Sequence, residues 1–202
     1  MLSAREIVTF DDAPPPPGES LWVDGQQPAS DLEIVAADAS WPDRYAALAK
    51  EITAALGHSA LSVEHVGSTS VPDLAAKPVI DVDLTVADSR DERAYVPALE
   101  QHGFALVIRE PWWYEHRCLR HNDPACNLHV FSPDCAEAER HRIFRDWLRS
   151  HPEDRLLYAD AKIAAAEHTR QVGGHGMDYN ARKEQVVREI YHRAFRALGL
   201  LA

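Results

Sequence analysis

The chain has 202 residues, 46% of them hydrophobic and 26% charged, an ordinary globular composition with enough length for one well-filled core. Its formal net charge of −11 comes from 21 basic and 32 acidic residues, and such a balance argues against a general nucleic-acid binder, which carries a basic excess. No signal or transit pattern and no long apolar span is present, so the expected location is the cytoplasm without a membrane partner; Cys118, Cys126 and Cys135 fit free thiols rather than a disulfide framework.

Residues 1–31 read as an extension ahead of one domain over 32–202. Asp11-Asp12 followed by Pro14 to Pro17 predicts extended polyproline structure, and Gly18 to Ser30 is rich in turn formers. A linker or a strap pinned to the body by Trp22 and Val23 is expected, with a proline-rich ligand as the alternative. Glu33 to Ala37 reads as a strand. Ser40-x-x-Asp43 then caps a helix whose apolar face is Tyr45, Leu48, Ala49, Ile52 and Leu56, ended by Gly57.

A short apolar strand runs to Gly67-Ser68, and a second covers Val79 to Val86. Alternation puts Ile80, Val82, Leu84 and Val86 on one face and Asp81, Asp83 and Thr85 on the other. Two carboxylates about 5 Å apart at an effective dielectric near 20 repel by roughly 3 kcal/mol. A hard cation such as Mg²⁺ would offset this, as would solvent screening on an edge strand. Between the strands, Gly67 permits close approach of a phosphate, while Ser68, Thr69 and Ser70 supply hydroxyls and amides. Ser70-x-x-Asp73 reads as a capping box opening a short helix, although Gly-Ser alone is compatible with a plain turn. Lys77 lies between the two groups and could neutralise a polyphosphate or be solvated.

Asp88 to His102 reads as a helix closed by Gly103, followed by strands over Phe104–Arg109, Trp112–His121 and Cys126–Phe131. Successive strands between helices predict an α+β fold, a mixed β-sheet flanked by helices. A zinc set of His116, Cys118, Cys126 and His129 is conceivable but lacks the paired Cys-x-x-Cys knuckle. Two helices broken at His151-Pro152 follow. Their arginines Arg140, Arg142, Arg145 and Arg149 are expected at the surface, pairing with Glu137, Glu139 and Asp146, with one or two reaching a phosphate site. Tyr158 and Lys162, four apart, point together. The glycine-containing segment 171–177 is a connector that could close over a ligand, and Asp178 caps a final helix to Leu198.

The pattern Gly67-Ser68, twelve residues, Asp81-Val82-Asp83 resembles the signature of the polymerase-beta-like nucleotidyltransferase superfamily. More narrowly, EHVGSTSVPDLAAKPVID is similar to the GrpB-like family. The likeness extends through Glu33-Ile34-Val35, Trp41-Pro42, Asn127 to Phe131, the 140–162 helices and Asp178-Tyr179. It implies a nucleotidyltransferase-like fold in which Asp81 and Asp83 hold Mg²⁺. Gly67, Ser68, Thr69 and Ser70 then bind phosphates, with His65, Lys77, Arg145, Lys162 and Lys183 in support. The superfamily pattern has a third carboxylate on a later strand, where this chain offers His129 as ligand, base or plain strand residue, and Glu115 is an alternative acid. The resemblance thus implies nucleoside monophosphate transfer from a nucleoside triphosphate to a small acceptor. The alternative is a non-catalytic nucleotide- or phosphometabolite-binding module connected with coenzyme A metabolism, since some GrpB-like domains are joined to dephospho-coenzyme A kinase.

Overall fold

The computed structural model describes residues 2–10, 14–26 and 33–201. Among these, five strands form one mixed sheet: β1 (Ser62–Val66), β2 (Ile80–Thr85), β3 (Ala105–Glu110), β4 (His116–Asn122) and β5 (Ala125–Phe131). Their spatial order is β1-β2-β5-β4-β3, with β2 and β5 parallel and the other neighbours antiparallel. Helices α1 (Ala4–Val8), α2 (Trp41–Leu56), α3 (Val96–Glu100), α4 (Ala136–Ser150), α5 (Pro152–Gln171) and α6 (Gly176–Ala197) flank it.

The period-two pattern decides which layer each face meets. Ile80, Val82 and Leu84 bury against Leu48 and Ile52 of α2 and join Leu128 and Val130 in the main core. Each such side chain contributes roughly 1.5 to 3 kcal/mol by leaving water. The opposite face, carrying Asp81 and Asp83, lies toward α4 to α6, whose own core is Val71, Leu74, Leu148, Tyr158 and Ile190. Asp154 ties that layer together by accepting from Trp147 Nε1 at 2.7 Å and from Arg193 at 2.7 and 3.0 Å.

Part of the amino-terminal extension is built into the body. Ser3 caps α1 in a reciprocal box with Glu6, and Ile7 packs with Tyr191 and Phe195. Trp22 bridges to Ile108 of β3 and lies under the Arg120 guanidinium. Pro14 to Pro17 is exposed and ends in a turn at Gly18, whereas the expected features at Asp11-Asp12 and over residues 27–30 lie outside the described residues.

Several expected elements differ. Glu33 to Ala37 forms no strand, because its β-pairing is confined to one isolated bridge, Val35 to Ala76. Ser40 precedes α2 without a side-chain cap, and Asp38 instead accepts from its N–H at 2.8 Å. The helix expected over 88–102 is confined to a 3₁₀ turn at Glu92–Ala94 and the short α3, since Pro97 is tolerated only in a first turn. Trp112 and Trp113 sit in a turn before β4, where Tyr114 and Glu115 take φ of 50° and 52°. His175, not Asp178, is the N-cap of α6; Asp178 completes a capping box by accepting from the His175 N–H.

Candidate functional site

Asp81 and Asp83 share a face of β2, as period-two geometry requires, but they inhabit different environments. Asp81, 31% exposed, has Oδ1 accepting from Asn127 Nδ2 at 2.9 Å. Asp83, 5% exposed, places its two oxygens 2.9 and 3.1 Å from Nδ1 of His141 on α4. Nε2 of His141 lies 3.3 Å from Glu137. Burial disfavours charge on this imidazole, yet Asp83 and Glu137 outweigh it and hold the His141 pKa well above its ordinary value. Burial likewise pushes Glu137 up, but His141 and Arg140 prevail and bring it to about 2. The roughly 3 kcal/mol of carboxylate repulsion anticipated for this strand is therefore opposed by a protein cation beside Asp83.

A row of polar side chains crosses the same face of the sheet. His129 Nε2 is 4.0 Å from Asp81 Oδ1, and its Nδ1 is 3.0 Å from His116 Nε2. His116 Nδ1 in turn is 2.8 Å from Glu110 Oε2. Each link joins neighbouring strands, since His116 pairs with Glu110 and His129 lies beside Asp83. Burial lowers His116 to about 3 and His129 to about 4, and it raises Glu110. His129 stays 24% exposed at the Asp81 end.

Gly67 ends β1 at φ 66° and ψ −170°, a region that is almost exclusively glycine's, and its Cα faces the Asp81 carboxylate. Ser68–Ser70 is one 3₁₀ turn rather than the start of the expected helix. Ser70 Oγ donates to Gly67 O at 2.6 Å, and Asp73 at φ 61° breaks the helical path. Thr69 Oγ1 donates to Val79 O at 3.3 Å and contacts His65 Nε2 at 3.1 Å. His65 itself departs from expectation: it pairs with Val82, stacks on Tyr45 of α2 and so occupies the opposite face from the carboxylates. Its part in the site is to hold Thr69.

Three lysines from separate segments meet around two tyrosines on the Asp81 side. Lys162 Nζ donates to Ala75 O and lies 4.7 Å from the Tyr158 ring centre. Lys183 lies 4.9 Å from that of Tyr179, and Lys77 lies 5.5 Å from the same ring. Lys162 and Lys183 are both within electrostatic reach of Asp81. Lys162 is 1% exposed, and burial, reinforced by Lys183, lowers its pKa to about 7.

The arginines divide differently from the sequence expectation. Arg145 donates to Glu64 at 2.9 Å and to His65 O at 3.0 Å, and Arg149 donates to Ser70 O at 2.8 Å, so these two brace the Gly67 turn from behind. Arg140 is not a surface residue. It is wholly buried, donating to the carbonyls of Glu6, Ile7 and Thr9 and to Tyr114 and Glu137, because α1 must satisfy its last carbonyls somewhere.

Among the described residues no group of three or more His, Cys, Asp and Glu side chains is arranged to hold a metal ion. The zinc set does not assemble, because Cys126 pairs with Ile80 on the apolar face while Cys118 and His129 point the other way. Glu115 is drawn aside to 3.5 Å from Arg90. Magnesium, commonly held by one or two carboxylates together with substrate phosphates, fits the accessible Asp81, with Asp83 reserved by His141. A cavity of about 210 Å³ touches Asp83, Glu64, Thr85 and Arg142. A larger one of about 650 Å³ lies between α1 and residues 132–136.

Sequence reasoning passed over His141, Asn127 and Glu110. A signal existed for His141, which falls on the same helical stripe as Glu137 and Leu148 and so had to face the layer beneath. Asn127 had none, since only the adjacency of β2 and β5 brings it beside Asp81, and Glu110 meets His116 through the tight turn between β3 and β4.

Residues 31–193 match the sequence profile of the GrpB protein family. The chain is 48% identical over 164 residues to a UPF0157 protein of Halalkalibacterium halodurans, covering 81% of this chain and 82% of that one. It is 32% identical over 192 residues to the dephospho-CoA kinase of Mycobacterium tuberculosis, covering 80% of this chain but 46% of that protein, so it spans less than half of the kinase. In structure it resembles the conserved protein GrpB of Enterococcus faecalis, with a TM-score of 0.70 at 24% identity over 82% of this chain and 99% of the other.

Proposed function

The chain belongs to the GrpB family, and from that premise we propose that it binds the phosphates of a nucleoside triphosphate or a related phosphorylated small molecule between the Gly67 turn and the lysine cluster. The observation that carries this reading is the meeting of Lys77, Lys162 and Lys183 around Tyr158 and Tyr179 beside the Asp81 carboxylate. Lysines drawn from a loop and two helices make a compact source of positive charge in an otherwise acidic chain. Gly67 allows the backbone to approach a ligand closely, and Ser68 and Thr69 supply further donors. The likeness over part of its length to dephospho-CoA kinase is consistent with a nucleotide or coenzyme A precursor as ligand.

A second reading adds chemistry, and the polar row on the sheet favours it. In this reading the fold is nucleotidyltransferase-like and an acceptor hydroxyl attacks the α-phosphorus of the triphosphate, taking the nucleoside monophosphate as the α–β anhydride bond breaks and pyrophosphate leaves. Asp81 would hold magnesium together with the ligand phosphates, and the ion would supply charge neutralisation at the reacting phosphate. Asp83 and His141 set the position of β2 against α4, and His129 faces the acceptor.

Thermal shift tests both. The protein is heated with each nucleoside triphosphate and with coenzyme A precursors, with and without Mg²⁺. A ligand at a hundred times its Kd contributes about 2.7 kcal/mol, which for a chain of this size raises Tm by roughly 5 to 11 °C. No shift with any of these ligands would remove the binding reading. A shift without pyrophosphate release on adding candidate acceptors would leave binding and remove transfer.

A further inference from the structure

The row Glu110, His116, His129 has a directional consequence for the site, in the reading of the site that includes group transfer. We infer that Glu110 acts through His116 as a positioning residue, fixing His129 in the tautomer whose Nε2 carries a bare lone pair toward Asp81. Two ring nitrogens 3.0 Å apart, His116 Nε2 and His129 Nδ1, share one proton between them. Which ring owns it follows from the next contact along. Glu110 Oε2 is 2.8 Å from His116 Nδ1, and an ionised carboxylate only accepts, so His116 carries its proton on Nδ1. His116 Nε2 is then an acceptor, His129 Nδ1 must donate to it, and His129 Nε2 is left unprotonated. That nitrogen lies 4.0 Å from Asp81 Oδ1, at the partly exposed end of the row.

A lone pair at this point can accept a proton from an incoming hydroxyl or ligate a cation, whereas an N–H there could do neither. The same geometry answers why a histidine stands where the superfamily pattern places a carboxylate. An acceptor facing Asp81 is supplied without a third negative charge beside Asp81 and Asp83. Glu110 sits two strands away and hydrogen-bonds neither Asp81 nor His129, so its hydrogen-bond path to His129 runs through the His116 ring, and its Coulombic effect on His129 is what Glu110→Gln removes while the path is kept.

The test is nitrogen-15 spectroscopy of the imidazole rings in the unliganded protein at mildly alkaline pH, with His129 assigned by its loss in His129→Gln. The expected spectrum gives His129 a protonated Nδ1 and an unprotonated Nε2. In Glu110→Ala the His129 signals shift toward the Nε2–H tautomer although its own neighbours are intact, and Glu110→Gln, whose amide oxygen still accepts, restores the original pattern. A wild-type His129 protonated on Nε2, or one whose pattern is unmoved in Glu110→Ala, overturns the inference. Should the alanine variant fail to fold, the wild-type spectrum decides alone. Because no nucleotide is added, failure here is separate from failure of the binding reading, which the thermal shift reports.

Discussion

Gly67 lies directly over Asp81: a Cβ built on the glycine would collide with Asp81 Oδ2 and stand 2.9 Å from Asp81 Cβ. The turn and the carboxylate thus occupy one another's van der Waals surface, and only the residue without a side chain permits it. Gly67→Ala is expected to cost about 1 to 3 kcal/mol from the backbone conformation alone and to displace Asp81. Urea unfolding reads the first effect. Loss of any nucleotide-induced Tm shift reads the second, and an alanine variant with wild-type stability and binding would contradict the close approach.

His141 is expected to be the more costly residue to lose. Its removal takes the shared cation from the buried Asp83 carboxylate and the half-buried Glu137 carboxylate, a loss on the order of 3 kcal/mol or roughly 6 to 12 °C in Tm for His141→Ala. The sign of the pH dependence follows from the two shifts. The raised imidazole contributes fully below its ordinary 6.5 and loses its contribution as pH rises through the folded value. The depressed Glu137 contributes above its ordinary 4.5 and loses its contribution as pH falls toward 2. The stability gap between wild type and His141→Ala should therefore be widest between about pH 4.5 and 6.5. A gap independent of pH would show that packing, not charge, is what His141 provides.

Lys162, with its pKa lowered to about 7 by burial and by Lys183, is charged below neutrality and neutral above it. Affinity for a phosphate ligand should fall several-fold as pH rises through this range, the Coulombic effect of one nearby charge whose own hydrogen bond goes to Ala75 O. Isothermal titration with ATP across pH reads this, and Lys162→Met should flatten the profile. In the free protein the unfolded chain binds the extra proton between about 7 and 10.5, so Lys162 makes stability rise with pH over that window. The methionine variant should lose that rise.

The two strand carboxylates should separate by mutation. Asp81→Asn, at an accessible position already bonded to Asn127, is expected to fold within about 1 kcal/mol of wild type and to abolish any Mg²⁺-dependent part of the nucleotide shift. Asp83→Asn removes one of the two carboxylates that hold the half-buried His141 cation, leaving Glu137, and should lower Tm whether or not nucleotide is present. Equal behaviour of the two variants in the absence of ligand would refute the assignment of distinct roles.

Truncating Arg140 should release the amino-terminal helix. Arg140→Ala removes the donor to three carbonyls of the α1 segment and breaks the ion pair with Glu137, at a cost of about 3 to 5 kcal/mol. Limited proteolysis within the first ten residues is the readout, and an uncut amino terminus would show that the Ile7, Tyr191 and Phe195 contacts suffice.

The sequence alone determined what depends on local periodicity. The alternation over Val79 to Val86 placed Asp81 and Asp83 on one face, the broken helices met at His151-Pro152, and the small residues at 67–70 marked a turn, because each rests on backbone geometry within a few residues. Pairing across the fold was decided only by the tertiary structure. His65 and Asp81 look equivalent in their strands, yet registry with β2 sends the histidine to the α2 face. Arg140 reads as one more helix arginine until α1 folds back onto it. The partners of the carboxylates, His141 for Asp83 and the Glu110, His116, His129 row beside Asp81, come from segments up to 58 residues away. Their meeting is set by the order β1-β2-β5-β4-β3 and by which helix covers which face, neither of which any stretch of sequence contains by itself.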